Sequence, residues 1–278
     1  MLDVTKTLIS EFQKILIDNY RLLFGADHNE YLPMVEEAAA LALSSIGKCN
    51  ASYHNVEHTI YVTAAGLSIL EGKHMETPLT TKQWAEAVLA MLFHDIGFVR
   101  GLCKNDEDSK YDSGKGDGSL IELNRGDTDA SMMPYHVDRG QCFVTENYGQ
   151  HDDLDLDLIR DSIERTRFPI PDTADYQVTD DMPGLVRAAD LIGQFSDPRY
   201  INKLNALYQE FDEQGTNKRI GYHNLQDMCE GYPEFFENQV QPYIEEGVRL
   251  LEMTEAGKEI VASMYKNLQT ARDCPLIP

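Results

Sequence analysis

A chain of 278 residues, 42% hydrophobic and 26% charged, can bury one sizeable core; it is long for a single domain but not too long. With 47 acidic against 24 basic residues the net charge is −23, which argues against a nucleic-acid backbone or an anionic membrane as main partner. An anionic substrate would need local positive charge, which a metal ion supplies.

No apolar stretch approaches the ~20 residues of a membrane span. The first residues lack a basic region followed by an apolar run, so no signal peptide is expected. Five cysteines, Cys49, Cys103, Cys142, Cys229 and Cys274, are odd in number, irregularly spaced and without CxxC. They read as reduced thiols of a cytoplasmic protein.

In chain order, residues 3–24 carry a helical stripe from Val4 to Leu23, and residues 31–46 repeat it from Leu32 to Leu43. A polar break follows, with Ser52 as a candidate N-cap. Tyr53-His-Asn-Val-Glu-His then opens an apolar run; read as helix, it puts His54 and His58 four apart on one face. The ordinary alternative is one core histidine bonded to a carbonyl and one surface histidine. Residues 72–82 read as a polar turn, with Thr80 or Thr81 capping the next helix.

That helix, Ala85-Glu-Ala-Val-Leu-Ala-Met-Leu-Phe-His-Asp-Ile-Gly97, is the stretch that organises the chain. Nothing in it breaks a helix until Gly97, which is expected to let the chain leave. His94 and Asp95 point about 100° apart. They can meet at one spot only from different sides, which a metal ion accepts. A helix end with a dipole-matched His and an exposed Asp is the alternative.

Residues 103–129 are rich in Asp, Gly, Lys, Asn and Ser and read as a long solvated loop. No Glu stands twelfth from Asp106 or Asp108, against a calcium loop, and Ser113-Gly-Lys-Gly-Asp-Gly lacks P-loop spacing. Helices are expected over 129–148, carrying His136 and Glu146, and over 154–167, stopped by Phe168-Pro-Ile-Pro. Another opens at Pro183 and holds Asp190 among apolar neighbours. A buried carboxylate needs a partner or a metal, and Arg187, three residues earlier, offers a salt bridge as the alternative. Further helices are expected near 198–212, 232–251 and 254–271. The second Tyr-His-Asn, at 222–224, lacks the later His and reads as coincidence. Alternating strands are scarce, so the chain reads as one all-α domain over 1–278, with a core at 50–200 and flanking helices at 3–46 and 198–271.

His58, the pair His94-Asp95, and Asp190 together form a set of two imidazoles and two carboxylates. It suits one or two divalent ions, Mn, Fe, Zn, Co or Mg, without choosing among them. The order H…HD…D resembles the HD-domain metal-dependent phosphohydrolase superfamily. Tyr53-His-Asn-x-x-His58 is similar to the YHNxxH motif of class I cyclic-nucleotide phosphodiesterases. Ala189-Asp-Leu with Gln194 to Pro198 resembles the segment carrying their last ligand, and Ile163-Glu-Arg-Thr166 resembles the IxxT region before it.

The resemblance implies an HD-type helical bundle. His58, His94, Asp95 and Asp190 would bind the first metal, and Asp95 would also reach a second. His54 would be the general acid and metal-activated water the nucleophile. The substrate would be a phosphomonoester or phosphodiester of a small molecule, a nucleotide being the first expectation. Phe98 departs from the His or Lys that relatives in that superfamily carry near the pair, and the purine-recognising Gln and Phe clamp find no counterpart after residue 200. Arg165, Arg167 and Arg187 are candidate phosphate clamps, or surface salt bridges. His136 and Glu146 are candidates for the second metal's surroundings, and Gln194 for the substrate's. A metal-binding sensor or interaction protein with a decayed site is the competing expectation. A homo-oligomer fits equally.

Overall fold

The computed structural model describes residues 4–273, so the expectation for Cys274 falls outside the described residues. Helix α1 (Val4–Phe24) turns Phe12, Leu16 and Tyr20 inward, the spacing its stripe predicts. Helix α2 (Leu32–Ile46) starts with Pro33 in its first turn, where a missing N–H costs nothing. Helix α3 (Val56–Glu76) runs deep into the expected polar turn, leaving only a short connection. Helix α4 (Thr81–Phe93) begins at a reciprocal capping box between Thr80 and Gln83 and is buried continuously from Trp84 to Phe93. A helix apolar all round belongs in the middle, and α4 sits against α2, α3, α6 and α7.

The segment 103–129 is more ordered than a solvated loop. Strands β1 (Lys110–Asp112) and β2 (Leu120–Glu122) pair antiparallel, Tyr111 opposite Ile121. The organiser is Arg139, fully buried, which donates to the carbonyls of Gly97, Val99 and Asp112 and to both carboxylate oxygens of Asp106. The single helix expected over 129–148 is two pieces, a 3₁₀ turn over Asp129–Met132 and helix α5 (His136–Tyr148). Pro134 lies between them and cannot continue a helix.

Helix α6 (Leu156–Glu164) is shorter than 154–167 because Asp155 caps it, accepting from the Leu158 N–H. Helix α7 (Met182–Ser196) is capped by Asp181 and makes its most extensive packing with α3. Helices α8 (Tyr200–Glu213), α9 (Thr216–Ile220), α10 (Leu225–Phe235), α11 (Gln241–Leu251) and α12 (Glu255–Asp273) complete the bundle. The helix expected over 232–251 is therefore divided: α10 passes through a π-helical turn, Phe236–Val240, flanked by Pro233 and Pro242, before α11. Among the described residues the fold is all-α apart from one hairpin. No described helix is long and apolar enough to cross a membrane.

The second Tyr-His-Asn has a physical role. Asn55 accepts from the N–H groups of Glu57 and His58 to start α3, and Asn224 accepts from that of Asp227 to start α10. Each asparagine is the N-cap of its helix.

Candidate metal centre and cleft

Four donor atoms converge where α3, the end of α4 and α7 meet. His58 Nε2 lies 3.2 Å from Asp95 Oδ2 and 3.4 Å from Asp190 Oδ1. His94 Nε2 lies 3.1 and 3.6 Å from the same two oxygens, and the two Nε2 atoms are 3.3 Å apart. His58, His94 and Asp95 are buried and Asp190 is nearly so.

Local structure explains the convergence. His58 stands in the first turn of α3. His94 is the C-cap of α4, still helical in its backbone, and its Nδ1 hydrogen donates to Met91 O at 2.8 Å. That bond leaves Nε2 as the ligating nitrogen. Asp95 then leaves the helix and its carboxylate turns back between the imidazoles. Asp190 makes no ion pair with Arg187, which settles the alternative. It faces the two histidines from α7 instead.

The close crossing of α3 and α7 depends on Gly193. A Cβ there would lie 2.6 Å from Val62 Cα. Val62 is one turn past His58 and Gly193 nearly one turn past Asp190, so the glycine sets the approach of the two ligands. Gly97 also acts through close approach rather than as a helix-ending residue with left-handed backbone. A Cβ on it would collide with the His136 carbonyl.

The residues fit a metal ion. Ligands about 2.0–2.2 Å from a cation and 90–110° apart stand about 3–3.5 Å from each other. Asp95 Oδ2 is buried and makes no hydrogen bond, although two imidazole nitrogens are near. Such an atom is costly unless a cation satisfies it. Burial alone would raise the Asp95 carboxyl, but the charges of His94 and His54 hold it well below the usual range. Burial would lower His94, but the charges of Asp95 and Asp190 win and push it up to about 9. His58 is raised in the same way, against its own burial. The two carboxylates therefore favour positive charge, supplied by protons or by a metal that takes the imidazoles neutral.

His54 is not on α3. It lies in the bend before Asn55, so the expected four-residue helical pairing is corrected. Its ring still comes to 5.5 Å from that of His58, centroid to centroid. What positions it is Glu210 on α8, which sequence reasoning missed. One Glu210 oxygen accepts from the Tyr53 N–H at 2.5 Å and the His54 N–H at 3.3 Å; the other takes His54 Nδ1 at 2.5 Å. Burial opposes the charge on His54, but Glu210 and then Asp95 outweigh it, and its pKa is raised. Burial likewise opposes the Glu210 carboxylate, and the His54 charge holds it low.

Phe98 fills the place expected for a His or Lys. It stacks between two histidines, 4.5 Å from His54 and 4.5 Å from His136. His136 donates Nδ1–H to Met133 O at 2.6 Å and places Nε2 3.6 Å from Asp95 Oδ1. It therefore joins the centre, on the opposite oxygen of Asp95 from His58 and His94. Its pKa is lowered by burial first, which favours the neutral imidazole a metal would need. Glu146 does not join. It accepts from the Lys104 N–H on the exposed side of α5.

The candidate clamps divide. Arg167 is tied to Glu164 and Asp138 at 2.6 Å each. Arg165 is buried, not a surface residue, and donates to Val178 O and Asp181. Arg187 is buried with no carboxylate partner; it donates to the carbonyls of Tyr176 and Val178, stacks on Tyr243 at 4.5 Å, and has no partner for Nε. Burial, then the Arg165 charge, lowers it to about 10. Gln194 donates to Tyr200 OH at 3.2 Å. Arg165, Arg187, Gln194 and His136 all line one cleft with His54, His58, Asp95 and Asp190, of about 1030 Å³ including the open solvent at its mouth. The far wall is apolar and comes largely from α8 to α10.

A search of curated proteins finds no match to this sequence. A family model described as Npun_R2479-like matches residues 2–273, essentially the whole described chain, and the protein belongs to that family.

Proposed function

We propose that this protein is a metal-dependent phosphohydrolase of HD-domain type, acting on a phosphoester of a small molecule. The observation that carries the reading is the group of four donor atoms, in which each imidazole Nε2 lies 3.1–3.6 Å from both carboxylate oxygens and 3.3 Å from the other imidazole, with an orphaned carboxylate oxygen among them and a Glu-held histidine beside them. A divalent cation bound there would acidify water and offset phosphoryl charge. His58, His94, Asp95 and Asp190 would hold it, with His136 on the outer oxygen of Asp95.

His54 is the proton donor to the leaving oxygen. Glu210 occupies Nδ1, so Nε2 is the nitrogen that hands the proton over, and the Glu210 charge favours the protonated ring. Phe98 holds the His54 plane by stacking rather than by hydrogen bonding. Arg187, uncompensated by any carboxylate, gives the cleft wall the positive field that an anionic substrate needs in a chain of net charge −23.

Phe98 also favours a second reading, a metal-binding sensor, because it can neither hold water nor move a proton. One experiment separates the two. Protein reconstituted with Mn, Fe or Zn is assayed for metal content and for phosphate release from a broad phosphoester panel. Stoichiometric metal with turnover, lost in Asp95→Ala, supports the hydrolase. Stoichiometric metal without turnover supports the sensor, and no bound metal overturns both. In His54→Ala, metal is expected to stay while the rate falls about 10²–10⁴-fold, the usual contribution of a positioned proton donor.

A further inference from the structure

The cleft has two chemically different ends. At one end stand the ligand cluster and His54. Beyond Leu191 and Gln194 the lining becomes apolar and aromatic, with Leu204, Leu207, Phe211, Phe235 and Met228 in the wall and Ile220 at the exposed mouth. The Phe168 and Phe211 rings lie nearly parallel, 7° apart in plane with centroids 6.5 Å apart, and Phe235 closes edge-on to Phe168 at 5.8 Å. The polar side chains among the cleft lining near this chamber are Thr166, Gln194, Tyr200, Tyr222 and Tyr232, with Arg165, Arg167 and Arg187, most of whose nitrogens are tied to protein partners. The Gln194 amide donates to Tyr200 OH, and the Thr166 hydroxyl donates to Ile163 O. Tyr232 OH is buried without a partner, and no carboxylate or asparagine lines the chamber wall.

A ribose or a nucleobase edge placed here would leave most of its hydrogen-bonding groups unanswered, at a cost of about 1–3 kcal/mol for each buried unmatched group. An alkyl or aryl group would leave none.

We infer that the substrate is the phosphoester of a bulky apolar alcohol, whose alkyl or aryl body occupies this chamber while its phosphate lies at the ligand cluster. The inference rests on the phosphohydrolase reading for the phosphate end and on the chamber alone for the apolar end. Exposed Ile220, between the left-handed Gly215 and Gly221, forms the entrance.

The test is calorimetric binding of phosphonates to the Mn-loaded protein, alongside turnover of the matching phosphate esters. The series runs from methyl- to octylphosphonate, with phenyl- and naphthylphosphonate as the aryl arm and a nucleoside monophosphate as comparator. Affinity is expected to rise up to about fourfold per methylene until the chamber is filled. The better of the two arms tells whether the body is aliphatic or aromatic. Ile220→Glu, at a partly exposed site where folding is not at stake, and Phe211→Asp, in the wall, should each remove most of the gain. Flat affinity from methyl to octyl, or a nucleotide bound more tightly than every apolar phosphonate, overturns the inference. Turnover without chain-length dependence would leave the hydrolase reading standing and this one fallen. Chain-length-dependent binding without turnover would overturn the hydrolase reading, and with it the ester as substrate, while leaving the chamber as the seat of an apolar ligand.

Discussion

His58, His94, Asp95 and Asp190 stand where three deeply packed helices, α3, α4 and α7, meet, whereas the wall opposite them is made of α8 to α10, interrupted by left-handed Gly215 and Gly221 and followed by a π-helical turn. The first region positions its polar atoms by letting backbones touch, at Gly193 against Val62 and at Gly97 against His136. The second excludes water with interchangeable apolar surface. The lesson is that the two ends fail differently. Small steric changes damage the ligand end, while only a change of polarity or bulk alters the wall.

The largest effect expected from breaking the contrast is at the ligands. His58→Ala or Asp190→Ala should abolish stoichiometric metal and all turnover. In the wild type, metal at a hundredfold excess over its Kd should add about 2.7 kcal/mol of stability. A thermal scan with and without metal checks this, and the rise should vanish in both variants.

Next comes the helix crossing. Gly193→Ala touches no ligand, but its Cβ would sit 2.6 Å from Val62 Cα. Forcing α3 from α7 should cost about 1–3 kcal/mol, as overpacking commonly does, and should weaken metal binding as well. A volume-conserving wall substitution, such as Leu207→Met, should cost less than about 1.5 kcal/mol and leave metal content alone. If the two behaved alike, the contrast would be wrong.

Glu210→Gln sharpens it from the other side, because α8 belongs to both regions. It keeps the hydrogen bonds to the Tyr53 and His54 N–H groups in shape but removes the charge beside His54. Turnover should fall about tenfold or more, with bound metal unchanged. Elemental analysis beside kcat separates this from a structural defect.

The smallest effect lies outside the cleft. Asp106 is pulled below the ordinary carboxylate range: burial would raise it, but the hydrogen bonds and charge of Arg139 outweigh burial. A depressed carboxyl stabilises the fold above its unfolded pKa of about 3.9, and that contribution is lost as pH falls through the lower folded value. Asp106→Asn should therefore lower the thermal midpoint at pH 7, with the gap to wild type narrowing in acid.

Much of this could be read in advance. The stripes of α1 and α2 gave helices whose ends match within a residue, and the order of His58, His94-Asp95 and Asp190 named four side chains that the fold brings to one point. Pro134 carried the signal that 129–148 must break, and Asn55 the signal that α3 starts after His54. Glu210 carried no such signal. It is one acidic residue among 47, and its partner is 156 positions away.

Local periodicity and capping chemistry are properties of neighbouring residues, so the sequence by itself determined the helices, their apolar faces and the ligand types on them. Which imidazole Glu210 holds, that His136 reaches Asp95, that Arg187 stays without a carboxylate and that a greasy chamber faces the ligands were decided only by tertiary structure. Each depends on the distance between helices, and that distance is set by side chains such as Gly193 whose effect exists only when another helix is there to touch.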